Sequence, residues 1–341
     1  MDLPIRFLEA PVAEPVVKID GAWAGPGLDL SHWPGNRTPE ALRHDLSTGV
    51  ALRFARLPPA ERARLAAGCV ALAVNHLDTD GVLALWAVRH PEAALRHEDF
   101  LLEAAATGDW FRLASARALR FDLLVQVLAD PARSPWRESY AGLSDARRRE
   151  RCIVEIVARL EGWLDAGRCE HEELVAEECA RIEADRAALA ECRFDDLLHL
   201  DLAVWNGTRA GAPFDPARHA LCGSSVRDRL LALAPVVGGG TSCRFLVNTT
   251  SWFPLAEPRL PRPDLARLAA RLDQLEGAER DGCRWRAQPS ASPSPELWFG
   301  RDGVPFFAER NGRLEASRLE PQAIKREVVD ALRAAWTFPD D

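Results

Sequence analysis

The residues best suited to chemistry stand together in the run Asn75-His76-Leu77-Asp78-Thr79-Asp80-Gly81. His76, Asp78 and Asp80 alternate, so an extended turn brings one imidazole and two carboxylates to the same side. That is a ligand set for a hard or borderline divalent ion such as Mn²⁺ or Mg²⁺. Asp80 or Thr79 is also placed to cap a following helix, and Gly81 lets the backbone pass close to a bound group. The plainer alternative makes Asp80 only an N-cap and His76 only a polar strand end.

Two elements must position this run. Cys69 to Val74 is an unbroken apolar stretch, the pattern of a strand buried on both faces inside a parallel sheet. Beyond the cluster, Val82, Leu85, Trp86 and Arg89 fall at helical spacing. The polar residues therefore sit where a buried strand hands over to a helix, the edge at which open α/β sheets bind ligands. A second connection of this kind lies upstream. Val16 to Ile19 and Leu28 to Leu30 are candidate strands, and Ser31 to Thr38 follows them with His32 and Asn36. Thr38 and Pro39 signal a helix start, as do Asp45 to Gly49. If the strands are parallel members of one sheet, both loops open on one edge, and His32, Asn36 and Asn75 become further site candidates. Asp109 is another. It follows Gly108, which is expected to end a helix over Phe100 to Thr107, so its plainer role is to cap the next helix.

His76-x-Asp78-x-Asp80-Gly81, after an apolar strand and before a helix, resembles the first motif of the DHH phosphoesterase superfamily. That superfamily includes single-strand exonucleases, oligoribonucleases, cyclic-dinucleotide phosphodiesterases and manganese pyrophosphatases. The resemblance implies an α/β domain holding two Mn²⁺ or Mg²⁺ ions, a smaller second domain, and His76, Asp78 and Asp80 as metal ligands. The motif covers about a dozen residues. No Asp-His-His triplet follows it. The nearest later element is His199-Leu200-Asp201, which adds His199 and Asp201 as candidates, and Gly238-Gly239-Gly240 is followed by Thr241 where the superfamily has His.

Composition narrows the function classes. A net charge of −8 disfavours an extended nucleic-acid footprint, which needs a basic face. A small phosphorylated substrate or a short nucleotide held through metal stays open. No apolar run approaches a membrane span, and Asp2, Pro4 and Glu9 argue against a signal peptide. The eight cysteines are scattered without a Cys-x-x-Cys pair, which fits reduced thiols and a cytoplasmic location. Of the 43 basic residues only Lys18 and Lys325 are lysine, a bias of GC-rich bacterial genomes that bears on origin rather than function.

The 341 residues predict two domains. Residues 111 to 192 show helix-period stripes such as Ile153, Val157, Leu160 and Leu164, and read as a helical insertion. Near Arg193 the pattern changes. Asp196 to Val204 reads as one strand, Arg229 to Val237 and Ser242 to Phe253 as a hairpin about the three glycines, and Asp264 to Glu276 and Pro321 to Trp336 as helices. The expected fold class is therefore α/β: a parallel-sheet N-terminal domain (1–195) with a helical insertion, followed by a smaller α+β domain (196–341). The functional expectation is a metal-dependent, phosphoesterase-like hydrolase. The alternative is a non-catalytic relative that binds a nucleotide or a protein.

Overall fold

A computed structural model describes residues 2–277, 282–305 and 307–335. The protein is α/β, and its chain divides into two compact units. Unit 1 comprises Met1–Cys179 and Phe253–Ala256, and unit 2 comprises Ala180–Trp252 and Glu257–Asp341. The division falls at 179/180 rather than the expected 195, inside a helix, and a short later segment counts with the first unit.

Unit 1 is built on four strands, β1 (Ile5–Phe7), β2 (Val16–Ile19), β3 (Gly27–Leu30) and β4 (Leu72–Val74). Their order is β1-β4-β2-β3, and every pair is parallel. The apolar stretch before the cluster thus supplies an interior strand, with the ladder confined to Leu72–Val74. Helices α1 (Ser47–Ala55), α2 (Pro59–Leu65), α3 (Thr79–Arg89), α4 (Pro91–Arg96), α5 (Glu98–Trp110), α6 (Ala116–Ala129) and α7 (Asp145–Ala166) complete the unit, and α8 (Ala176–Ala190) runs across the division. Helix α3 is buried from Thr79 to Val88, with α1, α4, α5, α6 and α7 packed around it. A helix apolar all round needs such an interior place.

Strands β2 and β3 are adjacent and parallel, yet only residues 20–26 join them. That is less than the dozen or so residues of an ordinary parallel crossover. Lys18 makes the tight return workable. Its Nζ lies 2.6 Å from Asp29 Oδ1, with both side chains buried, and it donates to the carbonyls of Gly25 (3.0 Å) and Trp23 (3.4 Å). At Gly27, φ is +112° and a Cβ would stand 2.0 Å from the Val16 carbonyl oxygen, so no larger residue fits.

Unit 2 has the mixed sheet order β5-β6-β7-β8-β10-β9. Its strands are β5 (Arg193–Leu197), β6 (Leu202–Asn206), β7 (Arg229–Pro235), β8 (Thr241–Val247), β9 (Arg284–Ala287) and β10 (Glu296–Gly300), with helices α9 (Arg218–Gly223), α10 (Leu265–Glu276) and α11 (Pro321–Ala334). One sheet face buries Val204, Leu231, Phe245 and Leu297 against Leu268 and Leu272 of α10 and Ile324 and Val328 of α11. Gly238–Gly240, all at positive φ, make the turn of the antiparallel β7–β8 hairpin.

Several element boundaries differ from expectation. The strand expected over Asp196 to Val204 is broken. β5 ends at Leu197, a 3-10 turn covers Leu198–Leu200, and Asp201 turns the chain at φ 49° into β6. The Thr38–Pro39 start yields only a 3-10 turn, Glu40–Leu42, because the Thr38 hydroxyl donates to the Ser31 carbonyl instead of capping. Helix α5 does not stop at Gly108. A Cβ there would press within 2.8 Å of Thr79 and 2.9 Å of Asp122 Oδ1, so the glycine serves close packing inside the helix. Trp336, the expected end of the closing helix, lies outside the described residues.

Replacing Lys18 with Met leaves the Asp29 carboxylate buried without its cation. The expected loss is about 3–5 kcal/mol, since removing one partner of a buried pair is far costlier than removing both. Adding Asp29→Leu should recover much of it. Urea denaturation of the two variants checks this, and a single variant as stable as wild type would show that Lys18 does not hold the return.

Candidate metal centre

The C-terminal ends of β2, β3 and β4 open on one sheet edge, and each delivers a polar residue there. After β2 comes Asp20, in the left-handed region at φ 48°, where Asp is better tolerated than most residues. After β3 comes His32, and after β4 come His76, Asp78 and Asp80. Helix α5 adds Asp109. The loops after β3 and β4 therefore meet in one place, as expected.

Asp20 is the meeting point. Its Oδ2 lies 3.0 Å from His76 Nε2. Its Oδ1 lies 3.5 Å from His32 Nε2 and accepts from Ser47 Oγ (2.8 Å) and Trp33 Nε1 (3.0 Å). Sequence reasoning missed this residue. The signal available was an apolar strand, Val16 to Ile19, ending in Asp20-Gly21.

Two donor groups share Asp20. One is Asp20, His76 and Asp78, and the other is Asp20, His32 and Asp80. In each, one atom from every residue lies within 4.8 Å of the others. His76 Nε2 is 2.9 Å from Asp78 Oδ2. His32 Nε2 is 3.6 Å from Asp80 Oδ2 and 3.0 Å from Asp109 Oδ2. Ligands about 2.1 Å from an octahedral ion stand roughly 3 Å apart when adjacent and about 4.2 Å when opposite. The donor spacings fit a small divalent ion in both groups.

The imidazoles are oriented alike. His32 Nδ1 lies 2.7 Å from the Asp45 carbonyl oxygen, and His76 Nδ1 lies 2.9 Å from Asn75 Oδ1. Each Nδ1–H donates to an oxygen, which turns Nε2 toward the carboxylates, the arrangement that orients metal-binding histidines. His32 Nε2 is buried and makes no well-aligned hydrogen bond. The Phe253 ring stacks on His32 at 4.0 Å, and Trp33 leans on His76 at 4.7 Å.

The carboxylates have distinct surroundings. Asp78, not Thr79 or Asp80, caps α3, its Oδ1 accepting from Gly81 N at 2.9 Å. Its side chain is 39% exposed, so the His76–Asp78 side is the open one. Asp80 is fully buried and caps a different helix: its two oxygens accept from Ser47 N and Thr48 N at the start of α1, both at 2.7 Å. Leu46, the N-cap of α1, has no side-chain acceptor of its own. A Cβ at Gly81 would stand 3.0 Å from Asp20 Oδ2 and 3.1 Å from Asp78 Oδ1, so the glycine leaves room for the site carboxylates.

Charge is tightly coupled. Burial opposes ionisation of Asp20, but His76 and His32 overcome it and hold the carboxyl well below the usual range. Burial pushes Asp80 up to about 6, aided by the Asp20 charge and opposed by His32. Asp109 is raised by burial and by Asp80. Burial disfavours the imidazolium forms, yet Asp109 and Asp20 raise His32, and Asp78 and Asp20 raise His76, well above 6.5. Among the described residues, Asp20, Asp78 and Asp80 have no Lys or Arg partner.

The remaining candidates do other work. Asn75 orients His76. Asn36 shapes its own loop, donating to the Trp33 carbonyl and accepting from Thr38 N. His199 and Asp201 belong to unit 2, where the broken strand places them in the β5–β6 corner and Asp201 accepts from Arg229 Nη1 at 3.2 Å.

Fold and site together define an α/β protein with a shared histidine–carboxylate centre at the C-terminal edge of a parallel sheet. The chain belongs to the family of unknown function DUF6687, whose model matches residues 5–341. No curated protein and no solved structure matches it. Among the described residues no helix is long and apolar enough to cross a membrane.

With folded pKa values above 6.5, each imidazole contributes stability that is full below 6.5 and lost as pH rises through the folded pKa. Asp80, raised from 3.8 to about 6, acts in the same sense between those values. Asp20, depressed below 3.8, contributes stability present above that value and lost only in stronger acid. EDTA-treated protein should therefore melt higher at about pH 6 than at about pH 8.5, and His32→Gln should flatten the difference. A wild type equally stable at the higher pH would contradict protonated imidazoles in the metal-free centre.

Proposed function

We propose that the protein is a metal-dependent phosphoester hydrolase acting on a small phosphate ester or a short nucleotide, in which the two donor groups that share Asp20 would hold Mn²⁺ or Mg²⁺. The observation that carries this is the sharing of Asp20 by two histidine–carboxylate groups with metal-ligand spacing. Charge supports it. Asp20, Asp78 and Asp80 lie around two imidazoles, so the cluster keeps surplus negative charge unless carboxyls hold protons or cations bind. The resemblance of the His76–Gly81 run to the DHH phosphoesterases points the same way. In this reading the donors that the missing triplet would supply come instead from Asp20, His32 and Asp109.

Divalent ions supply Lewis acidity toward a phosphoryl oxygen and acidify water. The chain's part is to hold and shield them. His32, Asp20, Asp80 and Asp109 form the buried group, with Asp80 fixed by the α1 amides and His32 by the Asp45 carbonyl. His76 and Asp78 form the open group, where a phosphoryl oxygen can approach. Trp33 orients Asp20 through its indole N–H and screens His76 from solvent.

A second reading, a non-catalytic binding protein for a nucleotide or protein partner, draws on one observation: His32 and His76 as imidazoliums already pair with the carboxylates. Metal analysis separates the two. Purified protein is expected to retain divalent metal, to gain melting temperature with Mn²⁺, and to hydrolyse members of a phosphoester panel. Asp20→Asn, which weakens both groups at once, should reduce turnover at least about 100-fold, the scale seen when charge-stabilising groups are removed. It should also abolish the Mn²⁺ shift. A wild type without metal, Mn²⁺ shift or turnover would leave the binding protein as the standing interpretation.

A further inference from the structure

A cavity of about 660 Å³ lies against His32, lined in part by Asn36, Arg43, His44, Asp45 and Arg53 and by Pro254 to Ala256. All of these residues belong to unit 1. The volume suits a nucleotide-sized ligand. Two cations face it. Arg53, on α1, donates through Nη1 to the Arg43 carbonyl, which sets the two residues side by side. Among the described residues neither guanidinium has a carboxylate partner. Neighbouring arginines do: Arg37 pairs with Asp29, Arg56 with Glu98 and Arg62 with Glu92. His44 Nδ1 accepts from Leu46 N at 3.0 Å, so the neutral ring keeps its proton on Nε2 as a further donor. Burial and the Arg53 charge both favour that neutral form. The Asp45 carboxylate is engaged by Ala256 N at 2.8 Å. On a chain of net charge −8, two guanidiniums against the single Asp45 carboxylate leave this open cavity with surplus positive charge.

We infer that Arg43 and Arg53 hold a second phosphate group of the substrate, a phosphomonoester distal to the bond cleaved at the metal centre. Guanidinium forks match phosphate oxygens in pairs, and His32, shared between the cavity wall and the centre, sets the two ends of the ligand next to each other. The substrate class is then a compound with two phosphate groups, such as a short oligonucleotide with a terminal phosphate. Calling the ligand a substrate rests on the hydrolase proposed above; the anion site itself does not.

The test has two arms. In EDTA-treated full-length protein, inorganic phosphate titrated by calorimetry should bind to wild type and at least tenfold more weakly to Arg43→Gln/Arg53→Gln. Both side chains are exposed, so the variant should fold, which its circular dichroism spectrum checks. In Mn²⁺-loaded protein, the same variant should raise KM at least tenfold for a 5′-phosphorylated dinucleotide. It should leave turnover of bis(p-nitrophenyl) phosphate, which has no second phosphate, unchanged. Equal phosphate binding by wild type and variant, or none by wild type, overturns the anion site while leaving Mn²⁺-dependent turnover as independent support for the hydrolase. Loss of phosphate binding in the variant with no turnover of any phosphoester establishes the anion site and removes the hydrolase. Acetate binding as tightly as phosphate overturns the assignment to a phosphate group.

Discussion

One buried carboxylate holds the first unit's functional edge together. Asp20 stands between two imidazoles, accepts from the Ser47 hydroxyl and the Trp33 indole, and does so from a backbone position that turns the chain back on itself. Placing an anion there is costly unless each of its oxygens is matched by donors or positive charge. The matching groups come from the ends of two other strands and the start of α1. The return held by Lys18 and the room left by Gly81 both follow from this requirement: one brings β3 beside β2 so that His32 can reach, and the other keeps α3 from crowding the carboxyl.

The buried polar residues of this unit are consistent with that arrangement. Asp80 and Asp78 lie two residues apart, yet one caps the helix it belongs to and the other reaches across to cap α1. Asp78 caps with one oxygen and turns the other to His76, while the Asp80 oxygen that accepts from Ser47 N also lies 3.6 Å from His32 Nε2. The same residues therefore fix helix positions and compose the donor set, so the precision of the site derives from secondary-structure ends rather than from flexible loops.

Much of this was legible in the sequence, and the parts that were not share a physical cause. The interior strand before the cluster, the helix after it and the convergence of the His32 and His76 loops follow from apolar runs and their period, which are local signals. Alternation of His76, Asp78 and Asp80 leads the sequence reading to treat them as one set, whereas the structure divides them, His76 and Asp78 on one side of Asp20 and Asp80 with His32 on the other. Asp20 escaped notice because its partners are 12 to 60 residues away along the chain and no spacing around it repeats a motif. The helix that Asp80 caps is hidden for the same reason, since local rules see only the helix that a residue begins, and Asp80 bonds the first amides of α1 instead. Gly108 read as a stop because its neighbours in space, Thr79 and Asp122, are remote in sequence. Only the triplet resemblance points to His199 and Asp201; the corner that separates β5 from β6 gives Asp201 its own cation, Arg229.

Helix α1 has one further property. Its first turn hangs on the Asp80 carboxylate and its last turn carries Arg53, so a single short rod joins the centre to the cavity wall. Asp80 therefore fixes where α1 begins, and the helix rise carries that placement to the backbone of Arg53. One buried carboxylate thus sets both the edge of the histidine–carboxylate cluster and the position from which Arg53 reaches the cavity.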